Sequence, residues 1–223
     1  MLFRSDFIAD VRELKDDVRE KRLDDAVERL HLERVLEQPI DTLSKGFKRR
    51  VGLAGAILHD PKVLILDEPT DGLDPNQKQE VRTLINSMAR DKTIIISTHL
   101  LEEVHAVCDR AIIIAGGRIL ADATPGELEA RSRYYQAVSL TAPNVQEAKD
   151  ALSRVADIAA IEVESQDGRI TAFPKPGRAI FVAVGDALKA QGITVRELAL
   201  EAGRLDEVFR TITQGAAGKE ARS

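Results

Sequence analysis

Two hydrophobic periods alternate along this chain, and the points where one gives way to the other mark its elements. Between residues 6 and 38, charged residues of both signs surround apolar positions spaced three and four apart. Phe7, Ile8, Val11 and Leu14 fit one amphipathic helix, and Leu23, Val27 and Leu30 a second, before Pro39 breaks the pattern. A further helix is expected after Ser44, running to about residue 58 with Val51, Leu53, Ala54 and Ile57 on its apolar side. Then come short continuous apolar runs at 62–66, 93–97 and 110–114, separated by helix-period segments at 75–89 and 100–107. Apolar residues at every position predict strands buried on both faces. Their alternation with helices predicts a parallel sheet in an α/β domain. Gly116-Gly117 reads as a hairpin turn into residues 118–121, and Pro125 starts a short helix to about 131.

Past residue 133 the texture changes. A strand is expected at 134–140, a helix at 145–155, and strands at 158–164 and 169–173 flanking the turn Gln166-Asp167-Gly168. A helix at 178–189 and a strand at 193–198 complete the order β-α-β-β-α-β, a small α+β domain on the ferredoxin-like plan. A last helix at 205–212 precedes a polar tail. The expected division is therefore 1–131, then 132–213, then a tail at 214–223. Within the first part, residues of about 6–48 are helical and about 49–131 carry the sheet.

Composition narrows the chemistry. With 223 residues, 43% of them hydrophobic, the chain can bury a sizeable core. A formal charge of -5, from 32 basic and 37 acidic residues, supplies no bulk attraction for nucleic acid, and none is expected as a partner. Aromatic residues make up only 4% and tryptophan is absent, which argues against a stacking surface for bases. A single cysteine excludes an internal disulfide and a cysteine-built zinc site. No apolar run approaches the ~18 residues of a membrane helix.

Candidate chemistry gathers at element ends. In an open parallel sheet, ligands bind beyond the carboxyl ends of the strands. The run Val63-Leu64-Ile65-Leu66-Asp67-Glu68-Pro69 places two carboxylates there. Phosphate chemistry uses such a pair: one carboxylate to hold Mg²⁺, the other to polarise an attacking water. The next segment, Thr70-Asp71-Gly72-Leu73-Asp74-Pro75, is a turn in which Asp74 caps a helix and Pro75 takes its first position. His99 follows another apolar run through Ser97-Thr98, so it emerges at a strand's carboxyl end near Glu68 if the two strands are neighbours. Upstream, in Leu43-Ser44-Lys45-Gly46-Phe47-Lys48-Arg49-Arg50, Ser44 caps a helix whose free N–H groups suit an anion. Gly46 allows close backbone approach there, and Lys45 adds positive charge.

These four elements, in this order, resemble the ATP-binding subunits of ABC transporters over residues of about 6–131. The likeness lies in the signature motif (43–47), the Walker B strand (63–68), the D-loop (72–75) and the switch histidine, His99. The stretch 43–76 is most similar to the branch of gliding-motility, multidrug and ABC-2-type exporters, where Lys45 stands in place of the usual glycine. The ending Leu205-Asp206-Glu207-Val208-Phe209 is similar to that branch as well. The resemblance implies ATP and Mg²⁺, with Asp67 holding the metal through water, Glu68 as catalytic base, and His99 on the γ-phosphate and attacking water. It implies that Ser44, Lys45 and Gly46 meet a nucleotide bound on a second ATPase subunit in a head-to-tail dimer, and that Asp74 works across that interface. The charged helices would press on a multi-span membrane permease, placing the protein in the cytoplasm at the inner face of the membrane.

The chain also departs from the family. It contains no Gly-x-x-x-x-Gly-Lys-[Ser/Thr] and no glutamine-loop segment before Phe7. It is therefore expected to be an N-terminally truncated subunit, inactive alone, with an uncovered apolar sheet face. Two other readings are an accessory protein of a transporter that does not hydrolyse ATP, and an ABC ATPase acting on ribosomes or DNA. Retention of Glu68 and His99 opposes the first, and the absence of a second cassette opposes the other.

Overall fold

The computed structural model describes residues 2–165 and 167–220. The chain forms two compact units, the first ending at Val107 and the second beginning at Cys108. In the first unit, α1 (Leu2–Val11), α2 (Asp16–Arg29) and two 3₁₀ turns (Glu33–Val35 and Ile40–Thr42) lead into α3 (Lys45–Ile57). Then follow β1 (Val63–Asp67), α4 (Pro75–Met88), β2 (Thr93–Ser97) and α5 (Leu101–Val107). Two helix starts are fixed by side chains. The Ser44 hydroxyl accepts from the Phe47 N–H at 3.3 Å, and the Asp74 carboxylate accepts from the Gln77 N–H at 3.0 Å with Pro75 at the first helical position.

β1 and β2 pair in parallel, with Val63 opposite Thr93 and Asp67 opposite Ser97, so both strands end at one level. Leu64 and Leu66 enter a core shared with Val51, Leu53 and Ala54 of α3 and Val81, Leu84, Ile85 and Met88 of α4. The opposite face is open: Ile65 is 73% exposed, and Val63 and Ile95 are exposed beside it. Side chains alternate along a strand, and the helices that bury Leu64 and Leu66 serve one face only. Two-sided burial, expected from the apolar runs, is thus replaced by a one-sided sheet.

The third apolar run is also placed differently. β3 (Ala111–Ala115) does not extend the parallel sheet; it pairs antiparallel with β4 (Arg118–Ala123) in a separate two-stranded sheet. Gly116 and Gly117, at φ +56° and +70°, reverse the chain within two residues and bring β4 alongside. The hairpin and α6 (Pro125–Glu129) pack with α9 (Leu205–Glu220) in the second unit. Compactness therefore divides the chain before the hairpin, whereas the change of texture falls near residue 132.

The rest of the second unit contains β5 (Val138–Thr141), α7 (Val145–Leu152), β6 (Ile158–Val163), β7 (Ile170–Pro174), α8 (Phe181–Ala190) and β8 (Glu197–Leu200). Its four strands are ordered β6-β7-β5-β8, every neighbouring pair antiparallel. Val138, Leu140, Ala148, Leu152, Ile170 and Val184 are among its fully buried residues. β5 starts later than its sequence suggests, because Tyr135 and Ala137 donate backspaced turn bonds to Ser132 and Tyr134 and Gln136 has φ +62°. β8 is shorter and later than expected, since it pairs only with the four residues of β5. The last helix continues to Glu220, into the segment read as tail.

Candidate functional site

The parallel register of β1 and β2 brings the two strand ends, and the residues just past them, together. Asp67 closes β1 directly opposite Ser97, whose hydroxyl donates to the Asp67 carboxylate. Glu68 comes next at φ +46°, a left-handed conformation uncommon for a residue with a side chain. Its N–H donates to the Ser97 carbonyl at 3.0 Å, tying the first residue beyond β1 to the end of β2. Its side chain meets His99: Nδ1 lies 2.7 Å from Oε1, and the His99 backbone N–H donates to the same oxygen at 3.2 Å. The second oxygen, Oε2, is buried without a hydrogen-bond partner. The carboxylate thus offers one oxygen held by His99 and one available for a further donor.

This pairing shifts His99. The hydrogen bond it donates to Glu68, then the Glu68 charge, and more weakly the charge of Asp71, hold the imidazole's pKa above its ordinary value. The loop after His99 is anchored by α5. The Thr98 hydroxyl accepts from Leu100 N–H at 3.0 Å, and Arg82 of α4 grips the buried Glu103 with Nη2 at 2.6 Å from Oε1 and Nε at 3.2 Å. A charge-assisted fork of this kind fixes direction as well as distance.

α3 begins beside the turn that follows Glu68. Lys45 Nζ lies 3.2 Å from Asp71 Oδ2, and Arg49 lies 3.9 Å from the same oxygen. Asp71 is held below the ordinary carboxylate pKa, first by the Lys45 hydrogen bond and then by the Lys45 charge. Gly46 is buried against α4, where a Cβ would lie 2.3 Å from Gln77 Oε1. A groove of about 390 Å³ lies between α3 and β1, and Lys45, Lys48, Arg49, Leu53, Ile65 and Asp67 are among the residues that line it.

The residues singled out in the sequence thus fall into two groups. Asp67, Glu68 and His99 share the strand ends. Ser44, Lys45 and Gly46 start α3, and Asp74 caps the neighbouring helix. Asp71, Ser97 and Gln77 were not singled out, yet each contacts a residue that was. Among the described residues no cluster of three or more His, Cys, Asp or Glu side chains could hold a metal. A Mg²⁺ held by one carboxylate and substrate phosphates needs no such cluster. Asp67, with one oxygen bonded by Ser97, and the unpartnered Oε2 of Glu68 fit a Mg²⁺-and-water arrangement.

Residues 2–104 match the family described as "AAA domain, putative AbiEii toxin, Type IV TA system". The chain is 38% identical over 133 residues to an energy-coupling factor transporter ATP-binding protein, EcfA3, of Clostridium perfringens, covering 59% of this chain and 46% of that protein. It is 35% identical over 204 residues to an uncharacterized ABC transporter ATP-binding protein, YdbJ, of Bacillus subtilis, covering 88% of this chain and 62% of the relative. The bacitracin transport ATP-binding protein BcrA of Bacillus licheniformis is 37% identical over 187 residues, 80% of this chain and 59% of that one. A solved ATP-binding subunit of an ABC transporter superposes with a TM-score of 0.51 at 31% identity, covering 56% of this chain and 52% of that one. The chain spans about half the length of the first of these relatives.

Proposed function

From its kinship with the ATP-binding proteins of ABC transporters, we propose that this chain carries the acid–histidine half of an ATP-hydrolysing site that powers an exporter. One observation carries the reading: Glu68 and His99, just past the ends of separate strands, meet at 2.7 Å while the other Glu68 oxygen is buried without a partner. In that reading Oε2 takes the proton of the attacking water. His99 holds Oε1 and steadies the carboxylate, with its imidazole close to the γ-phosphate. Asp67 holds Mg²⁺ through water, and the ion supplies charge neutralisation for the phosphates when bound. Ser44, Gly46 and the cations at the start of α3 form an anion-binding helix end for a nucleotide carried by a second ATPase subunit. Asp74 acts across the same dimer contact, beyond its capping role.

No Gly-x-x-x-x-Gly-Lys-[Ser/Thr] occurs within these 223 residues, so hydrolysis needs a phosphate cradle from outside them. The permease partner is a multi-span membrane protein, and the site of action is the cytoplasmic face of the membrane. A transport role draws support from the bacitracin transport relative, whose match covers 80% of this chain and so extends past the first unit. Residues 132–213 form a domain on the ferredoxin-like plan serving dimer contact or regulation, a reading supported by the antiparallel order β6-β7-β5-β8. The experiment is phosphate release from ATP by the intact gene product. Release should require Mg²⁺ and stop when the metal is chelated; undiminished release in chelator would overturn the reading.

A further inference from the structure

Resting on that reading and deepening it, we propose that Lys45 and Asp71 form an intrachain latch between the start of α3 and the loop from Glu68 to Asp74. Besides the charge it lends the helix end, Lys45 is then a positioning residue that acts on the site through Asp71. A lysine at the first position of a helix puts a cation where the helix dipole is already positive, and a nearby carboxylate offsets this. Asp71 supplies it, 3.2 Å from Lys45 Nζ, with Arg49 contributing at 3.9 Å.

The fit extends beyond the ion pair. The Lys45 stem lies across Gly72, where a Cβ would sit 2.2 Å from Nζ, 2.5 Å from Cε and 2.8 Å from Cδ. Gly72 also has φ +69°, so its conformation and its lack of a side chain both serve the contact. A second point of fit lies close by, where the buried Gly46 leaves room for Gln77 in the first turn of α4. The latched loop is in turn tied to the base. Asp71 N–H donates to the Glu68 carbonyl at 3.2 Å, and Leu73 N–H to the buried Thr70 at 3.2 Å. A shift of Lys45 is thus transmitted through Asp71 to the backbone of Glu68, and the Asp71 charge reaches His99.

The test uses the full chain without nucleotide and follows amide exchange at Asp71 and Leu73 together with the His99 imidazole signal. Exposed ion pairs are modest, so Lys45→Met and Asp71→Asn should each speed exchange by about two- to fivefold. The double variant should be no faster than either single, and Lys45→Arg should restore the original rate. Lys45→Met should also raise the His99 midpoint, because Asp71, no longer offset, then faces the imidazole alongside Glu68. Additive effects in the double variant, or an unchanged rate and midpoint in Lys45→Met, would overturn the latch. None of these readings involves ATP, so their failure leaves the hydrolytic assignment to its own assay, and failure of that assay leaves the latch standing.

Discussion

Glu68 combines a left-handed backbone, one carboxylate oxygen 2.7 Å from His99 Nδ1 and a second that is buried and unbonded. Its charge should be visible in solution. His99 is raised mainly by its hydrogen bond to Glu68, so the stabilisation from its charged form is present just below the ordinary histidine midpoint and is lost as pH rises through the elevated one. His59 is lowered, first by burial. A proton NMR titration should therefore place His99 above and His59 below the ordinary histidine range, and Glu68→Gln should bring His99 down while leaving His59 in place. Equal midpoints in the unaltered protein would contradict this. Gly72→Ala combines a strained φ with a clash against Lys45, and should lower the urea-unfolding free energy by about 1 kcal/mol. The main site residues were legible in the sequence because each stands at a strand end or a helix start. Asp71 and Ser97 were not, since their partners lie 26 and 30 residues away: the parallel register brings Ser97 to Asp67, and the placing of α3 beside the loop after Glu68 brings Lys45 to Asp71.

At the scale of elements, burial separates neighbours on one strand. Leu64 enters the core while Ile65 is 73% exposed. Leu64→Ala should cost about 2–5 kcal/mol, and Ile65→Ala no more than about 0.5 kcal/mol; thermal unfolding of the two variants decides this, and equal losses would show that both faces are packed. The contact between α4 and α5 is more sensitive. Glu103 is 1% exposed and its fork to Arg82 holds the segment that follows His99. Arg82→Ala leaves that carboxylate buried and unpaired, and should cost about 3 kcal/mol in urea unfolding. Helix starts at Ser44 and Asp74 were readable because a capping side chain bonds within its own first turn, while α6 was read from Pro125 alone and the structure adds Thr124 as its cap. β3 was misplaced for the opposite reason. Its apolar run matches a parallel strand, and its pairing was decided by the glycine turn that folds β4 onto it. The later starts of β5 and β8 likewise depend on turns and partner length, which hydrophobic period does not encode.

At the scale of the molecule, two compact units carry different business. The first gathers the acid–histidine pair and the cationic helix start; the second holds an antiparallel sheet with its own core. The relatives are ATP-binding proteins of ABC transporters, and the chain covers about half of the first of them. The central claim is that Glu68 is the base for ATP hydrolysis, and the direct measurement is phosphate release from Mg²⁺·ATP by the intact gene product and by its Glu68→Gln form. Loss of a general base predicts a fall of about 10²–10⁴-fold in turnover, with ATP binding retained. Turnover by Glu68→Gln at the rate of the unaltered protein would contradict the account.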